Sequence, residues 1–598
     1  MAEVALNDVN LTVATENGSG SASSNALLFR ALLKMGLAAS AKNYFPSNIQ
    51  GLPTWYQIRV STQGYLCRKD VTDIMVAFNP ASLARDQQRL RPGGLLIYDT
   101  AQPPAELRPD IQTLAVPAQD MVHQAIAIPQ LRTKLRNMVY VGTLAALLGI
   151  PLELLHQTLQ ELFGSKEVVL EPNRKCMALG YDHVKNSDFT QTIARLEAIP
   201  GGNAGKIVTD TNTASALGAI FGGVSVVAWY PITPSTSLVE VLAAEIEQHR
   251  TDEQGRNRFA IVQTEDELAS ISMVVGAGWA GARAMTATSG PGLSLMQEGI
   301  GLAYFTEVPL VLFHVGRAGP STGLPTRTQQ ADITLLHQGS HGDTRHIVLI
   351  PHDNPSAFEM GWLAFDLADR YQTPVMVMTD LDLGMNLSMS APFDYPDKPM
   401  DRGRLLTDDD LVRMGGDFHR YRDVHGDGVP LRTIPGMNHP AAAYFTRGSG
   451  HDENARYTED ATIYKELLDR LRKKYETART AVPAPVVDDA SPAPLGLISF
   501  GATYEPTREA RDLLAQEGIS ARHMLLRALP LSPQVRQFIA RHDQVLVVEQ
   551  NRDGQMTQVL RDDYPDLAPR IQALTMYNGM PATAGEIVRQ VKEIRNTP

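Results

Sequence analysis

The stretch VSVVAWYPITPSTSLVEVLAAEI, residues 224–246, contains the alternation on which the fold depends. A short apolar run comes first, and Pro, Thr and Ser residues interrupt it. The segment after them places Leu238, Leu242 and Ile246 at the spacing of one helix face. The stretch therefore predicts a β-strand, a turn and an amphipathic helix, which together form one unit of an α/β layer.

The same order of strand and helix recurs between residues 206 and 395. The strand candidates are VSVVAWY, FAIVQT, RAMTATS, VPLVLFHV, HIVLI and PVMVMT, and helical segments separate them. Strands that alternate with helices form parallel sheets covered by helices on their faces. We therefore predict an α/β domain in this range.

Similar alternation occurs on both sides of that domain. In residues 1–195, LTVAT precedes a glycine loop, the helix-like NALLFRALLKMG follows it, and DIMVAF and GLLIYDT supply later strands. In residues 495–598, LGLISFGA, ARHMLL and QVLVVEQN alternate with two helical segments. The chain is therefore predicted to be an α/β protein with three parallel-sheet α/β domains.

The segments between the predicted domains have compositions typical of linkers. EAIPGGNAG, near residues 197–205, is a predicted linker. Residues 396–490 lose apolar periodicity and are predicted to be a connector. It ends in the helix YKELLDRLRKKYETAR and the tether AVPAPVVDDASPAP.

Composition excludes several classes of protein. A formal charge of -12 argues against nucleic acid or an anionic membrane surface as the main partner. No apolar run reaches the roughly 18 residues of a membrane span, and MAEVALNDVN lacks the features of a signal peptide. The two cysteines, Cys67 and Cys176, cannot build a disulfide framework or an iron-sulfur site. A reducing, cytoplasmic location is expected.

Polar residues that follow successive strands are candidates for ligand binding, because open parallel sheets bind ligands beyond the carboxyl ends of their strands. Thr233, after VSVVAWY, is predicted to cap a helix whose first residue is Pro234. Such a helix start can bind an anion or a carbonyl group. A simple N-cap without a ligand is the alternative.

Acidic and glycine residues follow the next two strands. Glu265 comes directly after FAIVQT, at the strand edge where a ligand would lie. Asp266 and Glu267 fall in the first turn of a helix, where acidic residues ordinarily complement the helix dipole. After RAMTATS, Ser289 and Gly290 begin the turn SGPG, in which glycine lets the backbone approach a planar ring or a phosphate. Alone, SGPG is also an ordinary tight turn.

A long Gly/Pro-rich loop from Gly316 to Gln330 follows VPLVLFHV. It holds Arg317, Arg327 and hydroxyl side chains such as that of Thr322. Guanidinium groups match carboxylates in shape and charge, so the loop can recognise an organic acid. Arg317 is nearer the strand end, whereas Arg327 is typical of a solvated surface loop.

Four strings carry a family resemblance: YPITPST, QTEDE, TATSGPGLSLMQEGIG and GPSTGLPTRTQQAD. In this order and spacing they resemble the alpha subunit of 2-oxoacid:ferredoxin oxidoreductases, particularly the 2-oxoglutarate class (2-oxoglutarate synthase). SFGAT and VVEQNRDGQ, within residues 495–598, are similar to the family's second alpha domain, of transketolase C-terminal type. Residues 1–195 resemble the family's gamma domain, fused in front.

The resemblance implies that residues 206–395 bind the pyrimidine end of thiamine diphosphate. Glu265 would hydrogen-bond the aminopyrimidine ring nitrogen, so that acid–base catalysis acts through the cofactor. Pro231 would pack beside the ring, with Ser289 and Gly290 at the same site. These four residues are the expected cofactor contacts.

The resemblance also implies the substrate contacts. Thr233 would bond the carbonyl or carboxylate of the 2-oxoacid, Arg317 would pair with its C1 carboxylate, and Thr322 would add a hydroxyl donor. The GPSTGLPT loop favours 2-oxoglutarate, whose distal carboxylate needs a second cation. Arg345 is the first candidate for this cation and Arg327 is the second. A residue of the partner subunit is the alternative.

A separate beta subunit is implied to hold the diphosphate, its Mg²⁺ and a [4Fe-4S] cluster, in an (alpha-beta)2 assembly. The expected reaction is the reversible oxidative decarboxylation of 2-oxoglutarate with coenzyme A to succinyl-CoA, CO2 and reduced ferredoxin. Its reversal would fix CO2, as in a reductive TCA cycle. The alternatives are the same chemistry on pyruvate or branched 2-oxoacids, and a non-catalytic scaffold subunit.

Two further motifs suggest ligand sites in this chain, but each lacks part of the expected pattern. Gly426 to Gly428 followed by Asn454 resembles a thiamine diphosphate metal motif, but no apolar strand precedes it and Ala455 replaces a second asparagine. The glycine loop NGSGSASSN after Asn17 departs from the family's Gly-Gly-Gln-Gly run, which leaves nucleotide or coenzyme A binding there open. Histidines in scattered polar segments are typically solvated, and no metal is predicted for this chain alone; they are His341, His346 and His451.

Overall fold

The computed structural model describes residues 5–47, 51–189, 191, 193–488 and 491–596. The described residues fall into two compact units. The first lies within Met1–Val208 and also takes in Asn386–Ala391 and Thr583–Glu586; the second lies within Thr209–Met385, Pro392–Ala582 and Ile587–Pro598. Asp489 and Ala490 of the predicted tether lie outside the described residues.

A mixed sheet with strand order β3-β4-β2-β5-β6-β7 forms the centre of the first unit. The strands are β1 (Ala5–Leu6), β2 (Val9–Glu16), β3 (Ala39–Tyr44), β4 (Pro53–Val60), β5 (Thr72–Ala77), β6 (Leu90–Asp99), β7 (Gln112–Val116), β8 (Ala194–Arg195) and β9 (Ile207–Thr209). The helices are α1 (Ser21–Lys34), α2 (Leu83–Asp86), α3 (Ala118–Ala125), α4 (Pro129–Leu148), α5 (Leu152–Phe163) and α6 (Glu167–Lys185). The predicted strands correspond to β2, β5 and β6, which run parallel, whereas β4 is antiparallel to both of its neighbours.

The second unit contains every strand predicted for the middle domain. They are β10 (Val226–Trp229), β11 (Ala260–Gln263), β12 (Ala284–Thr288), β13 (Leu310–Gly316), β14 (Ile347–Leu349) and β15 (Pro374–Asp380), followed by the short β16 (Ser388–Ser390) in the first unit. The helices are α7 (Thr211–Phe221), α8 (Thr236–Arg250), α9 (Glu267–Trp279), α10 (Gly290–Leu295), α11 (Gln297–Thr306), α12 (Ile333–His337), α13 (Asn354–Tyr371) and α14 (Leu381–Met385).

The middle sheet is buried on both faces. Its strand order is β11-β10-β12-β13-β15-β14-β20, and β10 to β15 pair in parallel. Along β13, Leu310 and Leu312 pack into one core, while Val311 and Phe313 pack into the other. Helices cover both faces, which explains why the strands are apolar at successive positions rather than at alternate ones.

The last third of the chain forms a connector and a smaller parallel sheet. The strands are β17 (Val486–Val487), β18 (Leu495–Phe500), β19 (Ala521–Leu526), β20 (Ala528–Leu529), β21 (Gln544–Glu549) and β22 (Ile571–Thr575), in the order β17-β19-β18-β21-β22. The helices are α15 (Asp408–Arg413), α16 (Ala461–Thr477), α17 (Tyr504–Gln516), α18 (Pro533–Ala540), α19 (Gln555–Asp563) and α20 (Ala584–Asn596). Strand β20 pairs antiparallel with β14 at the end of the middle sheet.

The predicted α/β fold class is confirmed, because parallel pairs dominate three separate sheets. Short 3-10 turns complete the chain at Gln87–Arg89, Pro440–Ala442, Ala478–Thr480, Gly501–Thr503 and Ala568–Arg570. Among the described residues, no helix is both long enough and apolar enough to cross a bilayer.

A buried ion cluster fastens the connector helix α16 to the middle domain. The Glu307 carboxylate, at the end of α11, is completely buried and accepts hydrogen bonds from Arg470 Nη1 at 3.0 Å and Lys474 Nζ at 2.7 Å. Burial by itself raises the pKa of Glu307, but Arg470 and Lys474 outweigh burial and hold this pKa well below its usual 4.5. Glu307 is therefore ionised in the folded protein and forms ion pairs with both Arg470 and Lys474.

Replacing Glu307 by Gln should destabilise the second unit by about 3–5 kcal/mol, because two buried cations lose their counter-charge. Thermal unfolding and hydrogen exchange in Ala461–Thr477 measure the effect. Glu298→Gln, at a position 82% exposed on α11, is the control and should change little. Since the folded pKa of Glu307 lies below 4.5, its contribution is present above that pH and is lost as the pH falls. Equal behaviour of the two variants would contradict this role.

Candidate active site

The carboxyl ends of four parallel strands meet along one edge of the middle sheet. In the register, Trp229 of β10 lies opposite Gln263 of β11, and Thr288 of β12 lies opposite His314 of β13. The chain leaves β10 toward β11 on one side and leaves β12 toward β13 on the other. Such a reversal opens a crevice between the two strands, where open α/β sheets bind their ligands.

Two of the predicted substrate residues lie together in this crevice. Arg317 follows β13, and its Nη1 donates a hydrogen bond of 2.8 Å to the carbonyl oxygen of Thr233. The Arg317 side chain is buried, and its Nε has no hydrogen-bond partner among the described residues. Burial lowers the pKa of the Arg317 guanidinium, which still remains a cation. The site therefore contains a desolvated positive charge with an unused donor.

The predicted start of the helix after β10 is wrong. Helix α8 begins at Thr236 rather than Pro234, and Ser235 rather than Thr233 precedes it. The amides of Ser235 and Thr236 both donate to the Ile232 carbonyl, at 2.9 and 3.1 Å, so a separate turn comes before the helix. Thr233 is thus in a loop with Pro231, and its carbonyl is available to Arg317.

The acidic residues after β11 differ sharply in environment. Glu265 is exposed, whereas Glu267 is only 6% exposed. Asp266 caps α9 as expected, by accepting a hydrogen bond of 2.7 Å from the amide of Ala269. Within the described part of the chain, the Glu267 carboxylate has no hydrogen-bond partner. A Cβ added at Gly292 would lie 2.7 Å from Glu267 Oε1, so this carboxylate lies against the turn after β12.

Sequence reasoning assigned Glu267 to the helix dipole and missed its burial. The signal was its spacing, because Glu267, Ile271, Val274 and Gly278 are the positions of one helix face, and all four are buried in α9. Glu265 precedes the helix and is outside this pattern. Of the two glutamates, only Glu267 is buried.

The turn from Ser289 to Gly292 forms the floor of the crevice. Ser289 is completely buried, and its Oγ has no hydrogen-bond partner in the described residues. A Cβ at Gly292 would lie 2.1 Å from Thr288 Oγ1, and one at Gly290 would lie 2.9 Å from Asp332 Oδ2. A side chain at either position would therefore displace a neighbouring side chain. Because burial without a partner is costly, the Ser289 Oγ is a polar group that a ligand could satisfy.

The remaining predicted substrate residues are on the loop after β13 and before β14. Thr322 is exposed in the loop after β13, and Arg327 Nη1 donates to the carbonyl oxygen of Thr326 at 2.8 Å. Arg345 is exposed and precedes Ile347, the first residue of β14. It therefore lies at the amino end of a parallel strand, across the sheet from the crevice. The structure does not bring Arg345 to Arg317, because parallel strands keep their two ends at opposite edges.

Residues of the possible metal motifs form hydrogen bonds and ion pairs with neighbouring protein groups. The Asp427 carboxylate is paired with Arg404 and also accepts the amide of Val429 at 3.0 Å. Buried His346 bonds the Gly339 carbonyl through Nε2 at 3.1 Å. In the described ranges, no group of three or more His, Cys, Asp and Glu residues is arranged to hold a metal ion.

Two protein-family models match the chain. The model described as pyruvate flavodoxin/ferredoxin oxidoreductase, thiamine diphosphate-binding, matches residues 217–398. The model described as pyruvate ferredoxin/flavodoxin oxidoreductase matches residues 10–183. The first match contains all four segments that line the crevice.

Similar proteins extend over almost the whole chain. The alpha subunit of 2-oxoacid:ferredoxin oxidoreductase 2 from Aeropyrum pernix is 31% identical, covering 99% of this chain and 98% of that protein. The 2-oxoglutarate oxidoreductase subunit KorA of Mycobacterium tuberculosis is 28% identical over 90% of this chain and 83% of its own length. A solved structure of 2-oxoglutarate:ferredoxin oxidoreductase from Magnetococcus marinus, with 2-oxoglutarate, coenzyme A and succinyl-CoA bound, has a TM-score of 0.88. It is 29% identical and covers 98% of this chain and 99% of that one.

The tight floor of the crevice gives a stability test on the chain alone. Gly292→Ala should lower the free energy of unfolding by about 1–3 kcal/mol, because the new methyl group overlaps Thr288 and Glu267. Gly276→Ala, in open space on α9, should raise it by about 0.5–1 kcal/mol. Denaturant unfolding measures both variants. If both changes are stabilising, the turn is not packed as described.

Proposed function

Because this chain belongs to the family of 2-oxoacid:ferredoxin oxidoreductase alpha subunits, we propose that it forms, with a beta subunit, an enzyme that oxidatively decarboxylates 2-oxoglutarate. The family resemblance inferred from the sequence is thereby confirmed. The observation that carries the proposal is that Glu267, only 6% exposed, and the bonded pair of Arg317 and Thr233 follow neighbouring parallel strands at the same edge of the sheet. The domain limits 1–195, 206–395, 396–490 and 495–598 are part of the proposal.

The crevice fits the pyrimidine end of thiamine diphosphate. Gly290 and Gly292 let this segment pack closely against Asp332 and Glu267, which brings the Glu267 carboxylate to the carboxyl end of β12. The Glu267 carboxylate can accept a ring N–H, and the unpartnered Ser289 Oγ supplies a further polar group. Pro231, half-buried in the loop after β10, can pack beside the ring. When bound, the cofactor supplies the nucleophilic carbon and the electron sink for decarboxylation.

The chain's own residues then have separable roles. Glu267 holds a proton at the ring nitrogen and exchanges it, which is the acid–base role that the sequence had assigned to Glu265. Arg317 pairs its guanidinium with the C1 carboxylate of the 2-oxoacid. Thr233 lies beside Arg317 and can bond the same substrate. Burial of Arg317 strengthens its attraction for an anion, because little water competes with the substrate.

Two glutamine variants of the enzyme assembled with its beta subunit distinguish the glutamates. Glu267→Gln should lower turnover of 2-oxoglutarate, with coenzyme A and ferredoxin, by about 100-fold or more, because it removes the proton acceptor. Glu265→Gln, two residues away and exposed, is the matched control and should retain turnover within a few-fold. The chain without its beta subunit should show none. Loss of activity in Glu265→Gln alone would restore the original assignment.

We propose that a beta subunit holds the iron-sulfur cluster, which this chain cannot bind. Cys67 and Cys176 are both buried and far apart in the sequence, so a [4Fe-4S] cluster needs another polypeptide. The diphosphate and Mg²⁺ are proposed to lie there as well, with ferredoxin as the electron acceptor. Helices α9 to α11 carry four exposed large apolar side chains, which an interface can cover; they are Leu268, Met273, Leu295 and Leu302. We assign these helices to the contact with the beta subunit in an (alpha-beta)2 assembly.

The preference for 2-oxoglutarate, with coenzyme A as acyl acceptor, is supported by relatives that carry this substrate in their names. Pyruvate or a branched 2-oxoacid with the same chemistry is the alternative, and a non-catalytic scaffold is the alternative of another class. Arg327 or a residue of the beta subunit remains the candidate for the distal carboxylate, and Thr322 remains a proposed hydroxyl donor to the substrate. The position of Arg345 removes it as a candidate for that carboxylate. A cytoplasmic location stays a prediction.

The substrate class is tested by comparing kcat/KM for 2-oxoglutarate and pyruvate. The wild-type enzyme should prefer 2-oxoglutarate, and Arg317→Ala should reduce kcat/KM for both acids by about 30-fold or more, because both have a C1 carboxylate. Arg345→Ala, at the opposite edge of the sheet, is the control and should leave both values within about twofold. A strong preference for pyruvate, or a selective loss of 2-oxoglutarate activity in Arg345→Ala, would contradict the proposal.

A further inference from the structure

A second acidic residue, with a side chain 20% exposed, lies against the segment that follows β12. Asp332 precedes α12, and its Oδ2 is 3.0 Å from Nε2 of His314 on β13. The same Oδ2 would lie 2.9 Å from a Cβ at Gly290. Gly292 lies two residues after Gly290, and a Cβ at Gly292 would lie 2.7 Å from Glu267 Oε1. The turn from Ser289 to Gly292 is therefore in contact with two carboxylates, one at each glycine.

The His314 side chain is fixed by this pair. It is 1% exposed, and its Nε2 bonds the Asp332 carboxylate, an arrangement that places the ring proton on Nε2 when the imidazole is neutral. Its Nδ1 is buried and has no hydrogen-bond partner among the described residues. Nδ1 of His346, at the other edge of the sheet, also lacks a partner there. The feature that distinguishes His314 is therefore its bond to Asp332, whose carboxylate lies beside Gly290.

The segment that carries Asp332 is held by the C-terminal domain. The amide of Gln330 donates to the carbonyl oxygen of Gln550 at 2.9 Å, and Asn551 Nδ2 donates to the carbonyl oxygen of Gln330 at 3.1 Å. Gln555 Nε2 donates to the carbonyl oxygen of Ala331 at 2.6 Å. These partners stand about 220 positions further along the chain, and they fix the backbone immediately before Asp332.

A further contact fixes the segment after Asp332. The amide of Thr334 donates to Gln555 Oε1 at 3.2 Å, so the same glutamine holds the chain on both sides of the aspartate. The Gln330 side chain also donates to the carbonyl oxygen of Phe500 at 3.1 Å. The carboxylate of Asp332 thus has a position set by the C-terminal domain rather than by its own loop.

We propose that Asp332 and His314 are positioning residues for the reaction: from below Gly290 they hold the turn on which the cofactor ring rests, and the C-terminal domain acts through them. The inference rests on the proposed function and adds two residues that act through the segment after β12. Positioning errors of about 1 Å in such a site cost on the order of 100-fold in rate.

The test uses the assembled alpha-beta enzyme and measures the Kd of thiamine diphosphate by calorimetry, together with kcat at saturating cofactor. Asp332→Ala should raise Kd by about 10- to 100-fold and lower kcat. Asp332→Asn keeps an oxygen that accepts from His314 Nε2, and it should restore most of the affinity. Unfolding temperatures are recorded for each variant, so that a loss of folded protein is separated from a loss of binding.

His346→Gln is the matched control. His346 is also a fully buried histidine, with Nε2 bonded to the carbonyl oxygen of Gly339 at 3.1 Å, but it precedes β14 at the amino edge of the same sheet. The His346→Gln variant should have a lower unfolding temperature and an unchanged Kd for thiamine diphosphate. If Asp332→Ala shows only this pattern, Asp332 is merely structural and the inference is overturned.

A double-mutant cycle tests the contact with the turn directly. Gly290→Ala alone should weaken cofactor binding, because its methyl group meets the Asp332 carboxylate. In the Asp332→Ala background, Gly290→Ala should raise the Kd of thiamine diphosphate by a factor at least fivefold smaller than in the wild type. Strictly additive effects on the binding free energy would refute the contact. Absence of thiamine diphosphate binding in the wild-type complex would defeat the proposed function and this inference together. Normal wild-type binding with an unaffected Asp332→Ala would defeat the inference alone.

Discussion

Parallel hydrogen bonding among β11, β10, β12 and β13 is the constraint on which the candidate site depends. Strands that run in one direction release their following segments at one edge of the sheet. Thr233 and Arg317 are 84 positions apart in the chain, yet they meet there within hydrogen-bonding distance. The same constraint carries Arg345, which precedes its strand, to the other edge. Strand direction thus decides which residues can share a ligand and which cannot.

Much of the fold follows from local patterns in the sequence, and much of the site does not. The strands of the middle domain were predictable because each is a short apolar run followed by helical spacing. The family strings located the turn at Ser289 and the loop at Arg317. The choice between Glu265 and Glu267 needed the inward face of α9, which the spacing of Ile271 and Val274 indicates only once the helix start is known.

Other features depend on contacts that are remote in sequence. The start of α8 is set by a turn at Ile232, which residue types alone did not reveal. The place of Asp332 is determined by glutamine and asparagine side chains about 220 positions away. Strands β3 and β4 were missed as well, since in the first unit they pair antiparallel and break the strand-then-helix alternation. Local periodicity cannot report such long-range pairings.

The pairing of β20 with β14 has a consequence for biosynthesis. Val348 and Leu349 of β14 find their antiparallel partners at Leu529 and Ala528, about 180 residues later. While the chain emerges from the ribosome, this border of the sheet stays open, with unsatisfied backbone groups, until the partner has been translated. An open border of this kind invites pairing with other nascent chains. Slow translation between the two strands therefore lengthens the period in which the newly made polypeptide needs chaperone protection.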